Sequence, residues 1–196
     1  MIRALICALD GVPSPPSAPP REYVVGQRVD ARSDGVHVIA LAEVTPRSAR
    51  ELIPGRSLTF VCVDNHFTRK VIGESVARRS MRDVVLISGG NDGVENGLDG
   101  TYGNVIVHAR REGRDLTNPL TTFHPEIARP TDKPPGAAGC AALAPSAPQL
   151  LITNFAVASA MLVAFYAWLT SQLSFEELYL DVAQARMRPV SRKVGA

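Results

Sequence analysis

Short apolar runs alternate with amphipathic stretches along the middle of the chain. Leu58 to Val63 and Val84 to Ile87 are rich in β-branched and aromatic residues, a pattern typical of strands buried on both faces of a parallel sheet. Between them, Thr68 to Ser80 places apolar side chains on one side and arginines on the other, which predicts a helix. Strands alternating with helices predict an α/β fold with a parallel sheet built by right-handed crossovers.

Further signals extend this pattern in both directions. Val36 to Leu41 predicts another buried strand, and Thr45-Pro46 predicts a helix start, because a hydroxyl residue caps the helix and proline fits its first position. That helix should end near Pro54-Gly55. The stretch 88–103 contains six glycines and predicts a wide loop, after which Asn104 to His108 predicts a strand. We therefore expect an incomplete Rossmann-like sheet whose parallel strands continue into antiparallel strands.

The C-terminal part holds one long apolar segment. No formal charge occurs from Pro134 to Phe175, and Leu150 to Leu169 has about the length of a membrane span. Polar residues such as Asn154 interrupt the segment, and Lys or Arg does not flank it directly, so we expect a buried C-terminal helix over 154–169 and no membrane association. After it, Ser174 to Glu177 has the spacing of a capping box.

The rest of the C-terminal region leaves two interpretations open. Leu178 to Met187 could form a terminal strand instead of a capped helix, and the residues from Arg188 onward are basic. The stretch from Arg110 to Pro148 is irregular and rich in proline, which is typical of a functional loop or a crossover. These boundaries predict an N-terminal segment with a Pro-rich linker (1–21), one domain (22–187) and a basic tail (188–196).

Composition narrows the class of protein. The 196 residues are 45% hydrophobic and 20% charged, as in an ordinary globular protein. A net charge of +2, with basic residues scattered among acids, predicts no nucleic-acid partner. The three cysteines have no paired spacing, which indicates a reducing compartment and hence a cytoplasmic protein.

Asp64 and Asn65 are the first candidates for chemistry, because they follow the predicted strand 58–63 directly. In open α/β sheets ligands bind outside the carboxyl ends of the strands, so a carboxylate there could hold a metal ion, a ribose or a magnesium-bound phosphate. Asp64 could equally serve only as the N-cap of the next helix. The glycine-rich stretch 88–103 lacks the Lys-Ser/Thr ending of a phosphate loop.

Other polar residues support weaker hypotheses. His124-Pro-Glu126 lies in the long loop, where polar residues serve either a site or a surface turn. Cys62, His66, His124 and Cys140 show no metal-ligand spacing, so we expect no structural zinc. Cys140 could be a nucleophile only with a cationic neighbour or a helix dipole that lowers the pKa of its thiol.

Four landmarks in a fixed order resemble those of the ThiF/MoeB/HesA family, the bacterial relatives of ubiquitin-activating enzymes. The similarity covers roughly residues 22–187 and corresponds to the second half of that fold. The landmarks are Val63-Asp-Asn65 with Arg69, the strand 84–87 leading to Ser88-Gly-Gly90, the turn and strand 100–107, and Cys140 followed by Pro148-Gln149 and Asn154-Phe-Ala-Val-Ala158.

This resemblance implies ATP-dependent chemistry on a carboxyl terminus. Family members bind ATP and Mg²⁺ and adenylate the C-terminal glycine of a ubiquitin-like or sulfur-carrier protein, and some pass the acyl group to a cysteine. It implies that Asp64 holds magnesium and nucleotide, that Asn65 and Arg69 contact the nucleotide, and that Cys140 is a candidate for acyl transfer. It also implies a homodimer or a heterodimer.

One departure from the family pattern shapes the predicted function. The family's Gly-x-Gly-x-x-Gly nucleotide loop should precede the matched region, where this chain has residues 1–21 with a single glycine at position 11. We therefore expect an adenylyltransferase that is impaired alone, through a truncated or mis-started gene or a site completed by a partner. The alternative is a catalytically inactive ThiF-like scaffold that docks a ubiquitin-like protein or a dimer partner through its sheet edge and the 110–148 loop.

Overall fold

The computed structural model describes residues 2–5 (backbone only), 44–63, 65–94, 97, 99–132 and 150–191. Within these ranges the chain forms seven strands and four helices. The strands are β1 (Ile2–Leu5), β2 (Arg56–Val61), β3 (Asp83–Asn91), β4 (Tyr102–Arg111), β5 (Arg114–Asp115), β6 (Glu177–Asp181) and β7 (Arg186–Val190). The helices are α1 (Pro46–Leu52), α2 (His66–Val76), α3 (Pro125–Ala128) and α4 (Leu151–Leu169).

All seven strands belong to one mixed sheet in the order β1-β2-β3-β4-β6-β7, with β5 paired to β4. The pairs β1 with β2 and β2 with β3 are parallel, whereas β3 with β4, β4 with β6 and β6 with β7 are antiparallel. The α/β class and the change from parallel to antiparallel strands at the glycine-rich segment are therefore confirmed.

Helices cover both faces of the sheet and form two separate cores. On one face, α1, α2 and α3 pack over residues such as Val61, Leu86 and Ile106. On the other face, α4 packs over residues such as Val85, Val105 and Leu180. Alternate residues of β3 and β4 enter opposite cores, which explains why these strands read as nearly continuous apolar runs.

The predicted elements of the first core are present with shifted ends. Thr45 caps α1 through a hydrogen bond from the Ser48 backbone N–H, and proline occupies the first turn, as expected. Helix α2 starts at His66, two residues before the predicted start, because Asn65 is its N-cap and accepts from the Thr68 backbone N–H at 2.7 Å. It ends at Val76, four residues before the predicted end.

Strand β3 is longer than predicted and includes two glycines that had been placed in a loop. A Cβ on Gly89 would lie 2.8 Å from Val157 Cγ1 and would also meet the Met161 sulfur, and one on Gly103 in β4 would lie 2.5 Å from Val157 Cγ2. Both glycines thus let α4 approach the sheet backbone closely. A weak β-former in a strand marks such a close approach rather than a loop.

Helix α4 is only partly buried, so the prediction of a buried helix is wrong for half of its surface. Thr153, Val157, Ala160, Met161 and Ala164 face the sheet and are buried. On the opposite side, large apolar side chains such as those of Phe155 and Tyr166 are more than 60% exposed. By length and composition alone, this helix could cross a membrane.

The C-terminal residues form a hairpin, so the capping-box interpretation of 174–177 is wrong and the strand interpretation is correct. Glu177 begins β6, and β7 includes Arg188, where a basic tail had been predicted to start. The irregular region from Arg110 contains β5 and the one-turn helix α3. The predicted linker, the strand 36–41 and residues 133–149 lie outside the described residues.

Candidate functional site

A polar cleft of about 470 Å³ opens at the carboxyl end of β3, beside the first turn of α2. Its position is the one where open α/β sheets bind ligands. A larger depression of about 810 Å³ lies near Asp83, at the amino end of the same strand. Ligands of open α/β sheets bind at the carboxyl ends of the strands, so this depression is the weaker candidate for a binding site. The cleft is lined by His66, Arg69, Gly90, Asn91, Asp92, Tyr102, Gly103, Asn104, Glu126, Ile127 and Tyr179.

Arg69 forms the floor of the cleft and joins the ends of two parallel strands. Its Nη2 donates to the Val63 carbonyl and to the Gly89 carbonyl, each at 2.9 Å, and its Nε donates to Val63 at 3.3 Å. A Cβ on Gly90 would lie 2.5 Å from Arg69 Nη1, so glycine lets the guanidinium lie against the β3 backbone. The fixed positive charge of this planar group is therefore buried under the cleft.

The first turn of α2 is occupied by a side chain from elsewhere in the chain. Asp132 accepts from the backbone N–H groups of His66, at 2.5 Å, and Phe67, at 3.2 Å. With the cap that Asn65 provides, three of the four backbone donors that a helix leaves unpaired have partners. The carboxylate is thus bound where a helix N-terminus would otherwise attract an anion.

Behind the cleft, an imidazole lies between two carboxylates. His124 Nδ1 is 2.8 Å from Glu126 Oε1, and His124 Nε2 is 3.0 Å from Oε1 of Glu177, which is fully buried in β6. Asn104 Nδ2 donates to the same Glu177 oxygen at 3.1 Å. Because β4 pairs with β6, the sheet register brings the amide and the carboxylate together.

Charge in this cluster follows from these contacts. Burial disfavours the charged imidazole, but hydrogen bonds to Glu177 and Glu126 outweigh it and raise the pKa of His124. Burial opposes ionisation of Glu126 too, yet a backbone hydrogen bond and His124 lower its pKa. At the mouth of the cleft, burial and the Arg69 charge lower the pKa of His66. The contacts behind the cleft therefore favour the protonated form of His124, whereas the surroundings of His66 favour its neutral form.

Two tyrosines form the open rim. Tyr102 is 48% exposed on β4 and Tyr179 is 42% exposed on β6. Asn104 pairs with Tyr179 and lies two residues after Tyr102, so all three side chains share one face of the sheet. Exposed aromatic rings beside a polar floor can stack on a planar group.

The structure brings together some of the predicted site residues. Arg69 lines the cleft, Asn65 caps α2, and Asp64, between Val63 and Asn65, lies outside the described residues, as does Cys140. Cys62 is a free cysteine at an exposed position, and partial burial of its sulfur raises the pKa of the thiol despite the opposing charge of Arg69. No cluster of three or more His, Cys, Asp or Glu side chains that could bind a metal occurs among the described residues.

Sequence reasoning found His124 and Glu126 but missed Glu177, Asn104 and Asp132. Glu177 resembles a helix-capping residue in the sequence, and only the pairing of β4 with β6 shows that it is a buried ion-pair partner. The His-Pro-Glu motif is the sequence feature that pointed to this cluster, because polar residues in loops often belong to functional sites.

Fold and cleft together define an α/β protein with a mixed sheet and a polar cleft at the carboxyl end of β3, beside the start of α2. In sequence comparisons the chain matches no family model and no curated protein.

Proposed function

We propose that this chain is a Rossmann-like, ATP- and Mg²⁺-dependent adenylyltransferase of the type that activates ubiquitin-like proteins. The observation that carries the proposal is the cleft beside Arg69, at the end of β3 and the start of α2. Arg69, one of the landmarks of the resemblance, lines this cleft, and Asn65 caps the helix beside it. The proposed partner is a ubiquitin-like or sulfur-carrier protein ending in glycine, whose terminal carboxylate would be adenylated.

The donor atoms around the cleft are compatible with a magnesium-bound nucleotide. Asn91, Asp92 and Glu126 offer oxygen atoms, which Mg²⁺ prefers, and a nucleotide-bound Mg²⁺ needs only one or two protein carboxylates. From the resemblance to the ThiF/MoeB/HesA family we assign Asp64 and Asn65 to this role. The ion would offset the charge of the phosphates.

We assign nucleotide binding to other side chains of the cleft, one through its charge and two through stacking. Arg69 supplies a fixed positive charge that favours an anionic ligand, because its hydrogen bonds to two strand ends hold it in place. Tyr102 and Tyr179 are positioned to stack on the nucleotide base. Cys140 remains the candidate thiol for acyl transfer.

ATP–pyrophosphate exchange tests this proposal. Purified chain is incubated with ATP, Mg²⁺, labelled pyrophosphate and a panel of glycine-terminated ubiquitin-like proteins. We expect partner-dependent exchange that Asp64→Ala abolishes. Glu51→Ala is the matched control, because Glu51 is a solvent-exposed carboxylate on α1 that pairs with the likewise exposed Arg47, and such a pair contributes little. Exchange that survives Asp64→Ala would remove the role assigned to Asp64.

The occupied N-terminus of α2 favours a second candidate, a catalytically inactive ThiF-like scaffold or dimer partner. Asp132 takes the backbone donors of His66 and Phe67 that a phosphate would use. This candidate predicts no exchange by the folded wild type with any partner, while a ubiquitin-like protein still binds in a pull-down with purified components. Exchange above background in the wild type excludes it.

A further inference from the structure

Helix α4 presents a broad apolar surface to solvent, which we call the outer face of α4. Its large side chains are between 48% and 67% exposed. Together with Ala158 and Ser159, which are also exposed, they cover the whole length of the helix. Exposed patches of this extent mark an interaction surface in soluble proteins. The large residues of the outer face are Leu151, Ile152, Phe155, Leu162, Val163, Tyr166 and Leu169.

The inner face of α4 and the surrounding charges argue against a lipid bilayer as the occupant. Val157 and Met161 pack into the second core and against Gly89, so a helix that left the sheet to span a membrane would expose that core to water. Helices that lie on membrane surfaces carry Lys and Arg beside the apolar side. The stretch from Pro134 to Phe175 has no charged residue.

The order of residues makes the outer face complementary to itself. In an antiparallel pair of α4 helices related by a two-fold axis level with the midpoint between Ala160 and Met161, Phe155 lies opposite Tyr166 of the second copy, since both are equally far from that midpoint. By the same symmetry the small residues Ala158 and Ser159 lie opposite Val163 and Leu162. Large side chains then meet small ones at the centre, aromatic rings meet farther out, and no charge is buried.

We propose that the outer face of α4 is the contact surface of a homodimer with antiparallel α4 helices. The area of the outer face of α4 agrees with that of a homodimer interface. At about 100 Å² for each large exposed side chain, seven such residues offer about 700 Å² per copy, close to the roughly 800 Å² per partner of a stable interface. Met187, 48% exposed and paired with Leu180 of the second core, extends the apolar area. The proposal does not depend on the chemistry of the cleft.

Sedimentation velocity of the full chain tests the homodimer with a charge-reversal design. We expect the wild type to be dimeric at micromolar concentration, and Phe155→Glu and Tyr166→Lys each to weaken dimerisation by about 100-fold or more, because each would bury an unpaired charge. The double variant should recover the dimer, since each Glu would then meet a Lys of the other copy. Leu116→Glu, at an exposed apolar residue outside α4, is the control and should leave the dimer unchanged.

Two further measurements keep the test decisive. Circular dichroism checks that each variant is folded, and Leu162→Ala, which introduces no charge, should weaken dimerisation by about 10-fold or more if Phe155→Glu does not fold. The proposal is overturned if the wild type is still monomeric at concentrations 100-fold above the micromolar range in which we expect the dimer. Co-sedimentation of a monomeric wild type with phosphatidylcholine vesicles that Phe155→Glu abolishes also overturns it, because lipid would then be the occupant.

Discussion

The Nε2 atom of His124 lies 3.0 Å from Oε1 of Glu177, a carboxylate with no exposure to solvent. A buried carboxylate needs a charged or hydrogen-bonding partner, and His124 and Asn104 are those partners. The contact joins the long loop after β5 to strand β6, so it ties the wall of the cleft to the sheet.

Removal of His124 should destabilise the fold. We expect His124→Ala to lower the free energy of unfolding by about 3 kcal/mol, because Glu177 is then left buried without its imidazole partner. Glu126→Gln, which removes the half-exposed partner of the same imidazole, should cost about 1 kcal/mol. Urea unfolding followed by fluorescence measures both. Equal losses of unfolding free energy in the two variants would show that the burial of Glu177 is not the reason why His124 stabilises the fold.

The loss of unfolding free energy in His124→Ala should decrease as the pH rises. The folded-state pKa of His124 is raised above the unfolded value of about 6.5. Its stabilisation is therefore complete below the unfolded value and decreases as the pH rises through the folded pKa. We expect the gap in unfolding free energy between wild type and His124→Ala to be larger at pH 6 than at pH 9.

His108 should show the opposite dependence. It is fully buried in β4 with Nε2 2.8 Å from Asp115 Oδ1, and burial lowers its pKa despite the hydrogen bond to Asp115. The unfolded chain then binds more protons below about pH 6.5, so His108 makes the protein less stable as the pH falls. His108→Gln should flatten the stability profile between pH 5 and 7. Parallel profiles for variant and wild type would contradict this assignment.

Arg69 and Gly90 should be energetically coupled. Arg69→Ala leaves the Val63 and Gly89 carbonyls without this donor and should cost about 2–3 kcal/mol. Gly90→Ala forces its Cβ against the guanidinium and should cost about 1–2 kcal/mol. In the Arg69→Ala background the Gly90 substitution should cost less than half as much, as a double-mutant cycle of unfolding free energies would reveal. Additive losses would show that the two residues do not interact.

Asp132 should stabilise α2 from a distance in sequence. Asp132→Ala removes the acceptor for the His66 and Phe67 backbone donors and should cost about 1 kcal/mol, and Asn65→Ala should cost a similar amount through loss of the N-cap. Asp99→Ala is a control of the same chemistry, since its exposed carboxylate accepts hydrogen bonds from Thr101, two residues away and not in a helix. Thermal unfolding compares the three variants, and an Asp132→Ala curve that coincides with the wild type would show that the contact is weak.

The sequence predicts the parts of the fold that depend on local pattern. The start of α1 at Thr45-Pro46 follows from capping chemistry, and a continuous apolar run predicts β2, at 58–63 rather than at Arg56–Val61 where it lies. The continuation of β3 through Gly89 could not be predicted, because glycine there is selected by the close approach of α4. Likewise, an uncharged sequence does not distinguish a helix buried on all sides from one packed on a single face, which α4 is.

For the candidate site, too, the sequence predicts features that depend on local structure and misses those that depend on tertiary contacts. Arg69 was singled out by the family resemblance, and it lines the cleft because it lies in the first turn of α2, next to the strand ends. Glu177 and Asp132 contact residues more than fifty positions away, and no local signal encodes such pairs. Their roles come from strand register and loop path, which only the folded chain defines.

Strand β7 limits how the sheet can meet other molecules. It lies at the end of the strand order and contains Pro189 between the exposed Arg188 and Val190. Proline has no N–H to donate to an incoming strand, and arginine side chains repel further copies of the same edge. Growth of the sheet into fibres by strand addition is therefore blocked along β7.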